Sequence, residues 1–279
     1  MWAEYKNTFR KMRGAMIGWS LGLFGYTLLM AALFPMMMEQ MGDEYMAVLE
    51  SMPAEMLAFF PNIDEFLSPV GFVDTYFFSM MVVVIPIFTI GQGAKLLVRD
   101  EEEGILDIAL SYPLSRTKLF WARLAAYLDG VVIVLVASYI GWLVPEKGAR
   151  WLLTTGELAR AYFPLLAIVL VFGLLAFLLS LFLPSFKVAS GLTGALLIGN
   201  YLLMGISNMR EELKTVFKFT PIKYYQGGLA AEELNWEWFL GLVGAAVLFM
   251  LLAWLLFERR DIRVGGEAGW DLPGWLQRK

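Results

Sequence analysis

The chain contains no histidine and no cysteine. Zinc sites built on imidazole or thiolate, haem ligation by either residue and iron–sulfur clusters are therefore excluded. So are disulfides and nucleophilic catalysis of the Ser–His or Cys–His kind. Charge is scarce as well. Of the 279 residues, 17% are charged and 59% hydrophobic, against about 25% and about 45–50% in an ordinary soluble domain. The formal net charge of −4 supplies no basic field for nucleic acid. The chain is long enough for one or two soluble domains, but it lacks the polar surface to cover them. Its mean hydropathy of +0.63 points to a membrane protein.

The few charges are unevenly spread. Residues 14–38, 75–94, 161–186, 188–209 and 238–257 carry none, and residues 124–145 carry only Asp129. Crossing about 30 Å of hydrocarbon takes about 20 predominantly apolar residues, so six windows predict six transmembrane helices. The expected spans are about 14–34, 75–94, 124–143, 162–182, 188–207 and 238–257. The windows are continuous apolar runs without alternation, which argues against a β-barrel. The expected fold class is all-α, a polytopic membrane protein forming one transmembrane domain over 1–279. The first window is too long for a cleavable signal peptide, and no small-residue cleavage site follows it.

Basic residues set the orientation. With the N-terminus inside, inner segments hold fifteen Lys and Arg and outer segments seven. Between Arg13 and Lys95 lie eight acidic residues and no basic one. Both termini are expected on the cytoplasmic side of a cell membrane. Residues 1–13 read as an amphipathic interfacial helix, with Trp2, Tyr5, Phe9 and Met12 on one face and Lys6, Arg10 and Arg13 on another; such a helix suits contact with anionic lipid. The alternative is a plain extension of the first span. The outer loop over 39–70 is expected to hold two short amphipathic helices interrupted by Pro53 and Pro61. Residues 258–279 form a cytoplasmic tail.

The inner segment 95–123 is the most informative. An acidic cluster, Asp100 to Glu103, is followed by Gly104 and a short apolar helix through Leu106, which Tyr112-Pro113 ends, because the residue before proline disfavours the helical region. Leu114 follows, and Ser115 stands where an N-cap would start the helix entering the third span. A short helix held between two turns suits docking in a groove of a soluble partner, with charges fixing its register; the alternative is a solvated loop.

These residues carry a resemblance. Glu-Glu-Gly-Ile-Leu, then Leu-Ser-Tyr-Pro-Leu-Ser-Arg, then Arg123, resembles the signature of ABC-2 type transporter permeases, with Ile105 in place of Thr and Arg123 in place of Lys. Phe257-Glu-Arg-Arg-Asp-Ile262 resembles that family's ending after the last span. The resemblance implies the six-span permease subunit of an ATP-binding-cassette transporter, usually an exporter, in a prokaryotic inner membrane. Glu101, Glu102, Glu103, Gly104, Leu106, Pro113, Leu114, Ser115 and Arg116 would then form the coupling element against an ATPase subunit. Two ATPase copies and a second permease, a homodimer or paralogue, are implied, with ATP and Mg bound by the ATPase and no cofactor by this chain. No Gly-x-x-x-x-Gly-Lys-[Ser/Thr] occurs; Gly91-Gln-Gly-Ala-Lys95 has the wrong spacing. No intrinsic catalytic site is expected.

Polar residues within spans mark functional or packing positions. Asp129 either pairs with a base or lines a path. Thr89, Gln92, Asn200 and Tyr201 are candidates for the translocation path, because the resembling family brings its second and fifth spans toward the dimer axis. Packing within the subunit is the competing reading. The sequence leaves open a proton-coupled carrier with Asp129 as relay, and a non-transporting scaffold or sensor that recruits a soluble partner. It does not name the substrate.

Overall fold

The computed structural model of the chain describes residues 1–40, 53, 68–104, 115–145 and 153–259. Among them there is no strand. Helix α1 spans Trp2–Gln40, α2 Pro69–Val73, α3 Ser79–Lys95 and α4 Val98–Glu102. Helix α5 spans Arg116–Leu143, α6 Thr155–Phe182, α7 Phe186–Met209, α8 Glu211–Phe217 and α9 Trp236–Arg259. A π-helical turn, Asp74–Phe78, joins α2 to α3 without a break, so Pro69–Lys95 acts as one span. Among the described residues six helices are long and apolar enough to cross a membrane: α1, the α2–α3 unit, α5, α6, α7 and α9. The chain is an all-α, multi-pass membrane protein.

Helix is the form in which a lone segment satisfies every backbone group in hydrocarbon. The helices overrun the charge-free windows because charges and caps at their ends support them. Ser115 accepts from the Lys118 amide, Ser185 from Val188 and Ser68 from Gly71. Thr154 and Glu157 form a reciprocal capping box at the start of α6, satisfying amides that have no partner within the helix. The first thirteen residues are no separate helix: Trp2–Gln40 is continuous. The two helices expected over 39–70 fall almost wholly outside the described residues.

The spans pair in step. Glu4 meets Arg123 near one end of α1 and α5, while Thr27 meets Gly141 near the other, so the first and third spans run parallel. Thr89 donates to the Val169 carbonyl at 2.9 Å, and one turn on Gly93 faces Gly173. The second and fourth spans are therefore parallel too, as alternate crossings require. Helix α6 is the centre of the bundle: 72% of its most apolar stretch is buried, against 22% for α1 and α7 and 17% for α9.

Close approach of α3, α5 and α6 depends on glycine. A Cβ on Gly173 would run into the Tyr127 hydroxyl and stand 3.0 Å from Thr89 Cβ, and one on Gly93 would strike the Gly173 carbonyl. Tyr127 uses that hydroxyl to donate to the Thr89 carbonyl at 3.1 Å. Between helices surrounded by lipid, such small-residue contacts replace the hydrophobic effect as the source of association. At the outer end, rings of Phe77, Phe78, Trp142 and Tyr162 pack with centroids 5.0 to 5.8 Å apart. There Asp74 is buried and accepts from the Gly228 amide at 2.6 Å.

Gly173→Ala is expected to destabilise the bundle by about 1–3 kcal/mol, the usual cost of overpacking. Combining it with Tyr127→Phe, which removes the clashing oxygen, should recover part of that loss. Gly156→Ala, at a position with open space, should leave stability unchanged. Thermal unfolding in detergent measures all three.

Candidate coupling face at the N-terminal end of the bundle

The acidic stretch after the second span does not simply project into solvent. Asp100 receives Lys11 Nζ on both oxygens, at 2.8 and 2.9 Å, and Arg123 Nη2 at 2.8 Å. Arg123 in turn donates through Nε to Glu4 at 2.8 Å and through Nη1 to the Leu96 carbonyl at 3.0 Å. Two cations and two carboxylates thus close into a neutral knot between α1, α4 and α5. Arg123 is 3% exposed and Asp100 8%. An ion pair at that depth persists only when its remaining hydrogen-bonding groups are also satisfied, as the Leu96 contact does here.

The remaining acids divide in the same way. Glu101 is buried. Glu102 Oε1 accepts from the Phe186 amide at 2.8 Å, tying α4 to the first turn of α7, where an anion is favoured by the unpaired amides. Lys95 lies over the Phe186 ring at 5.7 Å, a second link between the second and fifth spans. Glu103 pairs with Arg99 at 2.8 Å on the exposed side, a contact worth at most about 1 kcal/mol. Gly104 has φ +68°, a left-handed conformation that a side chain disfavours, so it turns the chain sharply out of α4. Leu106, Pro113 and Leu114 lie outside the described residues.

The chain re-enters at Ser115, the cap of α5. Arg116 Nη1 reaches the Phe257 carbonyl at 3.4 Å, and Thr117 donates to Glu258 Oε1 at 2.6 Å. Phe257 also packs beside Phe120, with centroids 6.2 Å apart. The two sequence signatures, 141 residues apart, are therefore in contact.

The residues proposed to line a path are not brought together. Thr89 has no exposed surface and serves the contact with α6. Gln92 lines a small cleft at this same end of the bundle, beside Lys95. Asp129 accepts from the Tyr5 hydroxyl at 2.7 Å, so its partner is a phenol of α1 where a base of the inner segment was expected. It shares the outward face of α5 with exposed Val132, Val136 and Ile140. Asn200 turns its amide nitrogen back to the Leu196 carbonyl at 2.7 Å, and its buried Oδ1 has no partner among the described residues. Tyr201 is half-buried against the core.

Sequence reading missed Glu4 and Lys11, which share one face of α1 seven residues apart, and the buried carboxylate of Asp74. The available signal was spacing: Glu4 and Lys11 stand two turns apart, as two contacts with one neighbouring element require. Arg123→Ala should destabilise the protein by about 3–5 kcal/mol, because it strands two carboxylates. Arg123→Lys, which keeps the charge and loses the forked geometry, should cost less. Thermal unfolding of the purified chain ranks them.

A search of curated proteins found no match. A family profile described as ABC-2 family transporter protein matches residues 15–262, which takes in all six spans but the start of α1, and also Asp100 and Arg123 of the neutral knot. The chain belongs to the ABC-2 family of transporter proteins.

Proposed function

We propose that this chain is the membrane half of an ATP-driven exporter, in which a separate ATPase subunit supplies the energy. The observation that carries the reading is the bracing of the segment 105–114 at both ends. On the entry side, Asp100 holds α1 and α5 and Glu102 holds α7. On the exit side, Arg116 and Thr117 hold α9. A partner that displaces this segment therefore acts on four of the six spans. The lack of a phosphate-binding loop in the chain supports a separate ATPase; the resemblance to the family implies two copies of it and a prokaryotic inner membrane. The segment is the coupling element toward the ATPase, and Glu103 and Arg116 are its charged contacts.

Helix α7 is the proposed seam with a second permease. Its Gly191, Gly194 and Gly199 have open space where a Cβ would stand, and Val188, Leu192, Leu196 and Leu202 are exposed. Small residues on an exposed span allow a second helix to approach closely. Gln92, Asn200 and Tyr201 would face the path beside that seam. A proton-coupled carrier using Asp129 has less support, since that carboxylate is held by Tyr5 on a face shared with apolar residues.

Two measurements test the proposal. Glu103→Lys with Arg116→Glu should abolish co-purification with a co-expressed candidate ATPase subunit that binds the unaltered chain, while the permease still folds; undiminished co-purification sinks the docking role. Because the chain lacks cysteine, Gly194→Cys introduces a single thiol. Mild oxidation should then yield a cross-linked dimer on a denaturing gel, while Leu248→Cys on α9 should not. The reverse pattern places the seam elsewhere.

A further inference from the structure

A cleft of ≈ 50 Å³ opens between α1 and the α3–α4 corner at the cytoplasmic ends. Four of its lining residues are basic, Lys11, Lys95, Arg99 and Arg123, and one is acidic, Asp100. Thr8 and Gln92 add neutral donors. Asp100 is already neutralised by Lys11 and Arg123. Lys95 has no carboxylate partner among the described residues, only the Phe186 ring. Arg99 is held by an exposed pair with Glu103, weak enough to exchange for a stronger anion. Counting Glu4 and Glu103 with the lining, cations still exceed carboxylates.

The volume limits the occupant. It exceeds the about 10–15 Å³ that one water needs and is far below the about 300 Å³ of the smallest pockets for whole drug-sized ligands. It admits a group such as a phosphate whose attached molecule lies outside. Further along the same helices Trp19 packs against Phe88, with centroids 6.0 Å apart. Trp19 follows Lys11 by eight residues, or about 12 Å along the helix, which keeps the basic cluster at headgroup depth. Above Lys11, on the outward face of α1, run Gly14, Gly18, Leu21 and Gly25, all exposed, and nothing stands within 4 Å of where a Cβ on any of the three glycines would be. That is a smooth apolar track leading from the cleft into the hydrocarbon.

The geometry points to a site for an anionic glycerophospholipid of the cytoplasmic leaflet, its phosphate among Lys11, Lys95 and Arg99 and an acyl chain along the α1 glycines. Neither half suffices alone: basic clefts between spans on this side suit anionic headgroups, and the track selects a lipid over free phosphate. This site is independent of the ATPase and of transport.

The test uses the full chain purified in detergent. Bound phosphatidylglycerol and phosphatidylcholine are counted by native mass spectrometry, and protection by each, and by sodium phosphate, is read as a shift in thermal unfolding. Phosphatidylglycerol should be retained and phosphatidylcholine not. Lys95→Gln with Arg99→Gln should weaken phosphatidylglycerol retention roughly thirtyfold for two basic residues near the surface. Gly14→Leu with Gly18→Leu, which fills the track without touching a charge, should also lose the lipid while leaving any effect of sodium phosphate unchanged. Equal retention of both lipids by the unaltered chain overturns the site. So does undiminished phosphatidylglycerol retention in either double variant. If sodium phosphate protects as well as phosphatidylglycerol does, the cleft is a site for free phosphate and the lipid assignment is wrong.

Discussion

A guanidinium cannot be buried without counter-charge, and the end of the bundle that carries the N-terminus is arranged around that constraint. Arg123 is 3% exposed, and it takes its carboxylates from two distant places, Glu4 in the first turn of α1 and Asp100 in α4. One side chain thereby welds the N-terminal helix and the second span to the third. Parting α1 from α5 would leave charge unpaired in a site with little access to water. The loss of about 3–5 kcal/mol from breaking such a pair is a large share of the about 5–15 kcal/mol that holds a typical domain together. Lys11 completes the neutralisation on the Asp100 side. The carboxylate two residues later, Glu102, caps α7, so α4, five residues long, links three spans.

Deeper in the bundle, polar contacts are few and shape takes over. Tyr127, Thr89 and the Val169 carbonyl form a short chain of hydrogen bonds, and Gly93 and Gly173 let three helices close on it. Both halves are needed. A hydroxyl in hydrocarbon must find an acceptor, and the backbone carbonyls can come within reach only where no side chain intervenes. The glycines of α1, and Gly191, Gly194 and Gly199 of α7, have nothing within 4 Å of where a Cβ would stand. The same residue type thus marks contacts already made in one place and surfaces free for lipid or a second subunit in another.

What could be read from the sequence divides by the range of the governing interaction. Span number and identity depend on a local property, the length of an apolar run, and all six windows are helices of sufficient length. Their ends were drawn too short because an interruption by charge was read as an end. Glu4, Arg123 and Glu258 lie within helices, where partners from other elements make their charge tolerable. Asp74 escaped notice for the same reason. It stands just outside a charge-free window, and what allows it inside is the amide of Gly228, 154 residues away. The Ser115 cap was legible because its partner is three residues on. The ties of Asp100 to Lys11 and of Arg123 to Glu4 were not, since sequence spacing does not say which helices will be neighbours.

The two signatures recognised in the sequence are one physical patch. Arg116 and Thr117, at the start of α5, meet Phe257 and Glu258, at the end of α9, and Phe120 stacks on Phe177 of α6 one turn further in, at 5.4 Å. Helix α5 therefore bears on the segment 105–114 twice: directly at its exit, and at its entry through Arg123 and Asp100. In the proposed transporter a push on that segment reaches α5 from both sides and cannot be absorbed by bending at one of them. Helix α1 must follow, because Glu4, Tyr5 and Thr27 hold it along α5 from end to end. Helix α7 is held by Glu102 and the Lys95–Phe186 contact at one end, and its exposed flank leaves it room to move against its neighbours. The parts bound to α5 would travel as a body, and α7, at the proposed seam, is where relative motion between them and the rest of the bundle would be taken up.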